Sequence, residues 1–279
     1  MACLEPEDKG VPLARWSIRE AARQAVREGA AAAVSPATVG RWLAQDILKP
    51  RQTRSWISPR DPDFAAKGGL VLDLYHRVWL GEPLGDGEYV MSADEKPGIQ
   101  ALRRSGPRRP LGPGGPRRVE SGYQRRGACC YLAAVDVRSG HVMGTVGATC
   151  GIAPFGILVD QVMGQEPYAS AERVFWVVDN GSSHRGAQAQ LRLEDAHPNA
   201  LMVHTPVHAS WLNQIEVFFS ILTRKALTGK SFDDTGQLAD WILRFQRWYN
   251  ETAQPFNWTW TRDDLNNSLR RLGGFNLTA

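Results

Sequence analysis

Apolar and polar positions along this chain keep two different rhythms, and the switch between them marks its parts. The N-terminal rhythm is helical. Ser17 followed by Glu20 is a capping-box pattern, and the Ala-rich stretch to Glu28 favours helix until Gly29 stops it. Ser35 and Pro36 offer an N-cap and a first-turn proline, after which Val39, Trp42, Leu43 and Ile47 recur at helical spacing up to Pro50. Two short helices joined by a tight turn predict a helix-turn-helix. A polar, Gly-containing linker from Asp61 leads to a helix ending near Leu80, and Gly81 to Gly87 predict a turn. Short apolar runs then take over, reading as strands over 89–91, 129–137, 141–149, 173–179 and 200–204, with a Ser139-Gly140 turn between the second and third. Helices are predicted over 154–164, 183–196, 211–227 and 235–251. Strands and helices in that order pack as a mixed α/β sheet flanked by helices, antiparallel at its start and joined by crossovers later. We expect a helix-turn-helix unit with its linker over 1–60 and a catalytic domain over 61–279. The aromatics Trp241, Phe245, Trp248, Tyr249, Trp258 and Trp260 are expected to pack the last helices on the sheet.

Composition adds a partner to this outline. The 279 residues are 43% apolar, enough for a sizeable core. Thirty-three basic against 29 acidic residues give +4, a weak argument for a polyanion, but their placement says more. Arg103, Arg104, Arg108, Arg109, Arg117, Arg118, Arg125 and Arg126 crowd into a Pro/Gly-rich loop, 102–126, whose composition resists helix and strand. Four arginine pairs between two strands predict an arm that grips phosphates. On the second N-terminal helix Thr38, Arg41 and Gln45 face outward as candidate base readers, with Lys49, Arg51 and Arg54 nearby for the backbone. Cys3, Cys129, Cys130 and Cys150 show no CxxC spacing, and the neighbours 129 and 130 do not form an ordinary disulfide, so free structural thiols in a reducing cytosol are expected. Asp73, His76 and Arg77 interrupt the most apolar helix candidate, 70–80, and neither export nor a membrane span is expected.

The candidate chemistry lies in three acids placed where an acid is costly. Asp94 follows the Tyr89-Val90-Met91 run, Asp179 ends the run from Val174 to Val178, and Glu216 sits among Leu212, Ile215, Phe218, Phe219 and Leu222. Singly, Asp94 reads better as a turn cap and Asp179 as an Asx-turn into Asn180-Gly181. Glu216 resists so plain a reading, because an unpaired carboxylate in that apolar helix would cost several kcal/mol. Jointly the three predict a shared hard cation such as Mg²⁺, and a pair of such ions can hold both the attacking and the leaving oxygen of a phosphodiester displacement. His204 and His208 would share a helix face, but Pro206 breaks that helix, and no HExxH, GxSxG or P-loop pattern occurs. His208 and Ser210 are expected in the loop entering the Glu216 helix, with Asn213 helping to orient the acid. His184 reads either as a contact to substrate phosphate or as a structural residue.

Three segments, 93–101 (ADEKPGIQA), 179–184 (DNGSSH) and 205–216 (TPVHASWLNQIE), resemble in order the acidic motifs of the IS630 insertion-sequence transposases, within the Tc1/mariner superfamily of DDE enzymes. Asp179 and Glu216 are 37 positions apart, close to that family's usual spacing. The resemblance implies an RNase H-like fold in which Asp94, Asp179 and Glu216 hold two Mg²⁺ or Mn²⁺ ions. It further implies water-driven cutting at transposon ends, attack of the released 3′ hydroxyl on target DNA at a TA step, a homodimer assembled on DNA, and a place at the bacterial nucleoid in the cytoplasm. One departure stands out. Family members carry two N-terminal helix-turn-helix units, and only enough chain for one precedes the catalytic domain here, so a truncated copy with a cropped linker at 1–15 is expected. The alternative function is then a transposition-inactive DNA-binding relic or regulator of intact copies.

Overall fold

The computed structural model describes residues 6–13, 16–45, 61–104 and 122–273. The chain falls into two compact units, Met1–Ser58 and Pro59–Ala279. In the first, α1 (Ile18–Arg27) and α2 (Pro36–Gln45) form as their caps dictate. The Ser17 hydroxyl accepts from Glu20 N (3.2 Å) while the Glu20 carboxylate accepts from Ser17 N (3.0 Å), and Ser35 Oγ accepts from Thr38 N (3.1 Å). Trp16, Ala21, Ala22 and Val39 make a small core. Trp42, predicted to face inward with Val39, is 58% exposed. Two helices of ten residues share only a narrow apolar stripe, and Trp42 lies on its flank.

The second unit begins with α3 (Phe64–Tyr75) and a two-stranded ribbon of β1 (Val78–Trp79) and β2 (Glu82–Pro83). There follow β3 (Glu88–Arg104), β4 (Tyr123–Asp136), β5 (Val142–Gly147), α4 (Ile152–Met163), β6 (Arg173–Val178), α5 (Ala187–Ala196), β7 (Ala200–His204), α6 (Ile215–Leu222), α7 (Thr235–Asn250) and α8 (Arg262–Gly273). The five long strands form one mixed sheet in the order β5-β4-β3-β6-β7. β3 pairs antiparallel with β4 and parallel with β6, and β6 pairs parallel with β7. Alternation along β6 divides it between two cores: Val174, Trp176 and Val178 meet α4 and α5, while Phe175 and Val177 join the core of α3 and α8. Burial on both faces is why the stretch from Val174 to Val178 carries no polar residue. Trp241, Phe245 and Tyr249 pack on a third core around α6, and Trp258 and Trp260 on that of α3, whereas Trp248 is 55% exposed.

Several predicted elements are redrawn. β3 continues far past Met91, so Asp94 lies inside a strand, opposite Ala133 of β4, and not at a strand end. The same ladder reaches Leu102 opposite Arg125 and Arg104 opposite Tyr123, so Arg103, Arg104, Arg125 and Arg126 belong to strands; cross-strand pairing outweighs the loop-like composition. Arg108, Arg109, Arg117 and Arg118 lie outside the described residues. The helix predicted over 183–196 starts only at Ala187, after Gly186 (φ 79°). That predicted over 211–227 is three pieces: a 3₁₀ turn at Ser210–Leu212, α6, and a π-helical turn at Thr223–Leu227. α8 carries no sequence prediction at all. It lies against α3, where Arg262 pairs with Asp73 (Nε to Oδ2, 2.9 Å) above Gly69, whose bare backbone leaves room for the guanidinium. No helix among the described residues is long and apolar enough to cross a membrane.

The cysteine expectation is overturned by strand geometry. Consecutive residues on β4 point to opposite faces. Cys129 remains a buried thiol on the α6 side, and Cys130, on the α4 side and opposite Gly147, reaches Cys150 to form a disulfide with Cα atoms 5.5 Å apart. A thiol reagent applied to the denatured, unreduced chain should therefore modify two cysteines, Cys3 and Cys129, and four after reduction. Opening this loop should cost about 3 kcal/mol of stability by the chain-entropy relation. For a unit of this size that is roughly 6–12 °C in Tm. Four reactive thiols before reduction would refute the bond.

Candidate metal centre

β3 and β6 run in parallel register as far as Ser92 opposite Val177, and Asp94 and Asp179 each stand two residues beyond that last pair. The register thus brings two acids from distant segments to one level, at the carboxyl end of β6, where α/β sheets commonly build their sites. A carboxylate oxygen of each and one ring nitrogen of His184 lie within 4.8 Å of one another. Glu216, in the first turn of α6, lies within electrostatic reach of both acids.

A knot of hydrogen bonds fixes Asp94. Its Oδ1 accepts from Glu95 N (2.7 Å) and its Oδ2 from Asn213 Nδ2 (3.3 Å). Asn213 also donates to Ala93 O (2.8 Å) and accepts from the Ser92 hydroxyl, which in turn accepts from Ile215 N (3.3 Å). Tyr75 Oη closes the knot from α3 by donating to Leu212 O (2.8 Å). Asn213, expected to orient Glu216, thus acts on Asp94, and through the backbone it sets where α6 starts. Asp179 Oδ1 accepts from Gly181 N (2.6 Å), the Asx-turn expected of Asp179-Asn180-Gly181. Asn180 Nδ2 donates to Thr205 O (2.8 Å), tying the turn to the end of β7.

Burial and mutual repulsion dominate the electrostatics. Burial foremost, then the charge of Asp179, raises the Asp94 pKa to about 7. Burial also raises that of Glu216, while Lys96 opposes the shift. Burial lowers the His184 pKa to about 4, so the imidazole is neutral near pH 7. The sequence left His184 between a substrate contact and a structural role; the structure gathers it with the acids, under the edge of Phe155 (centroids 5.1 Å apart). Glu95 and Ser183 joined the site without any sequence signal: their side chains hydrogen-bond each other beside Asp94. His208, in the left-handed region (φ 63°), lies in the loop that leads to α6 and lines a cleft of about 410 Å³ with Asp179, Asn180 and Arg185. On α2, Arg41 is exposed and Thr38 half-buried, and the Gln45 side chain lies outside the described residues.

Residues 91–239 match the model of a family described as DDE superfamily endonuclease. A comparison with curated proteins finds no match. Among solved structures, the Mos1 mariner paired end complex with Mn is similar at a TM-score of 0.53 and 16% identity, over 86% of this chain and 75% of that one. The Mos1 transposase paired-end complex with left transposon end is similar at 0.55 and 15%, over 94% and 80%. At such identities the likeness speaks for the fold, a five-stranded mixed sheet with flanking helices of the RNase H-like kind.

The raised Asp94 pKa has a consequence for stability. The folded state holds this proton more tightly than the unfolded chain does, so stability present below the ordinary carboxylate pKa is lost as pH rises through about 7. The Tm of metal-free protein should fall between pH 5 and pH 8. Asp94→Asn should flatten that slope and raise Tm at pH 8. A variant less stable than the parent at pH 8 would show that repulsion among the acids is not the governing effect.

Proposed function

The chain belongs to the DDE superfamily endonucleases, and from that membership we propose that it is a transposase of the IS630 type, cutting at transposon ends and joining them to target DNA. The observation that carries this reading is the convergence of Asp94 and Asp179 at the carboxyl end of β6, with Glu216 in electrostatic reach. The donor set fits a hard divalent ion. Asp94, Asp179 and Glu216 would hold two Mg²⁺ or Mn²⁺ ions, which supply activation of water and of the 3′ hydroxyl and neutralise charge on attacking and leaving oxygens.

The chain's own residues do the positioning. The Asn213 knot keeps Asp94 from turning away from Asp179, and the Asn180–Thr205 bond holds the cleft wall beside Asp179. Exposed Arg125 and Arg126, with Arg103 and Arg104 on the facing strand and Arg108, Arg109, Arg117 and Arg118 between them, would grip DNA phosphates; Thr38, Arg41 and Gln45 would read base edges from α2. A homodimer on paired ends and a choice of Mn²⁺ are supported by the similar Mos1 structures, which are paired-end complexes, one with Mn. Chromosomal DNA as substrate puts the protein in the bacterial cytoplasm, at the nucleoid.

Labelled duplex carrying the element's own ends should be cut in Mg²⁺ or Mn²⁺ and spared in a chelator. Asp94→Asn, Asp179→Asn and Glu216→Gln should each slow cutting by about 10³-fold or more, since the metal site supplies several kcal/mol of stabilisation. Binding without cutting in the parent chain would favour a transposition-inactive relic. Replacing Arg125 and Arg126 by Ala should weaken binding alike on all sequences and reduce the salt slope by about two. An unchanged slope would remove both from the DNA interface.

A further inference from the structure

His184 is fully buried, yet neither of its ring nitrogens has a hydrogen-bond partner among the described residues. Nε2 stands 3.0 Å from Asp179 Oδ1, but no hydrogen bond runs along that line. The ring is not placed by accident of packing alone. The Gly181-Ser182-Ser183 turn folds it back over Asp179, with His184 N donating to Gly181 O (3.3 Å), and His204 Nε2 holds the His184 carbonyl at 2.6 Å. A buried polar nitrogen without a partner is costly, and here it is aimed beside two carboxylates that repel each other.

We propose that His184 Nε2 is a direct nitrogen ligand of the divalent ion held by Asp94 and Asp179, making the centre a mixed carboxylate–imidazole site. This rests on the metal-dependent reading given above. Two donors 3.0 Å apart and not hydrogen-bonded to each other suit neighbouring corners of an octahedron, whose cis donors at bonds of about 2.1 Å lie roughly 3.0 Å apart. Gly181 preserves the space. A Cβ there would come within 2.8 Å of both Asp179 Oδ1 and His184 Nε2. An imidazole in the donor set also bears on metal choice, because Mg²⁺ holds to hard oxygen donors, whereas Mn²⁺, though commonly held by oxygen too, belongs to the first-row series whose members also take nitrogen. The centre should therefore favour Mn²⁺ over Mg²⁺ more than three carboxylates would.

Mn²⁺ added to saturation to the metal-free full chain, without DNA, tests this by electron spin-echo modulation, which reads nitrogen nuclei bonded to Mn²⁺. We expect an imidazole ¹⁴N coupling in the parent that is absent in His184→Gln. Mn²⁺ affinity should fall by about tenfold or more in that variant, with Mg²⁺ affinity falling less. Gly181→Ala should weaken both ions by obstructing the space. Mn²⁺ that binds and is lost in Asp179→Asn, but shows no nitrogen coupling in the parent, would overturn the proposal while leaving the carboxylate centre standing; the parent spectrum decides this even where a variant fails to fold. A coupling that survives His184→Gln would overturn it by assigning the nitrogen elsewhere. Failure of Mn²⁺ to bind would overturn both this proposal and the metal-dependent reading beneath it.

Discussion

Asp94 and Asp179 occupy matched positions just past the last register pair of two parallel strands, and holding a buried Asp94 so near a second, half-buried acid raises the energy of the folded, metal-free chain. The surrounding structure resists their separation. β6 is clamped by apolar cores on both faces, so Asp179 cannot retreat along the strand. Asn213 spends three hydrogen bonds on β3, two on backbone and hydroxyl and one on Asp94 itself. A rigid frame around a repulsive centre is what a cation-binding site looks like before the cation arrives, and it is the form that stability traded for function commonly takes.

How much of this could be read from residues alone differs by level. The strands and most helices follow from period and caps, and β6 is legible because its five consecutive apolar residues are too few for a helix and rich in valine and aromatics. Asp94, Asp179 and Glu216 stood out because each is an acid in an apolar setting. What escaped was whatever depends on a partner far away in sequence. The extension of β3 through Arg104 needs β4 beside it, and α8 needs Asp73 and the glycines of α3. Cys130 could be separated from Cys129 only once β4 was known to pair with β5, since the alternation of faces then decides which sulfur reaches Cys150.

His184 and Asn213 are the instructive cases at the site itself. Neither partner follows from spacing along the chain. Asn213 lies three residues before Glu216, which made that acid its natural target in sequence; the 3₁₀ turn at Ser210–Leu212 redirects its amide across to β3. His184 follows Asp179 by five residues, and only the sharp return at Gly181 turns that separation into 3.0 Å. Short irregular turns are where one-dimensional spacing loses its meaning.

The Ser92–Asn213 hydrogen bond also orders events in time. Its two residues are 121 positions apart, so β3 leaves the ribosome long before the segment that completes its environment. Contacts across so long a separation form slowly, because the loop-closure entropy must be met before they stabilise anything. Until the chain has been synthesised past Glu216, the centre lacks one acid and the knot that fixes another. A chain that stops short of Glu216 therefore lacks both that acid and the hydrogen bonds that fix Asp94, so truncation there removes the cluster as a whole and not one member of it.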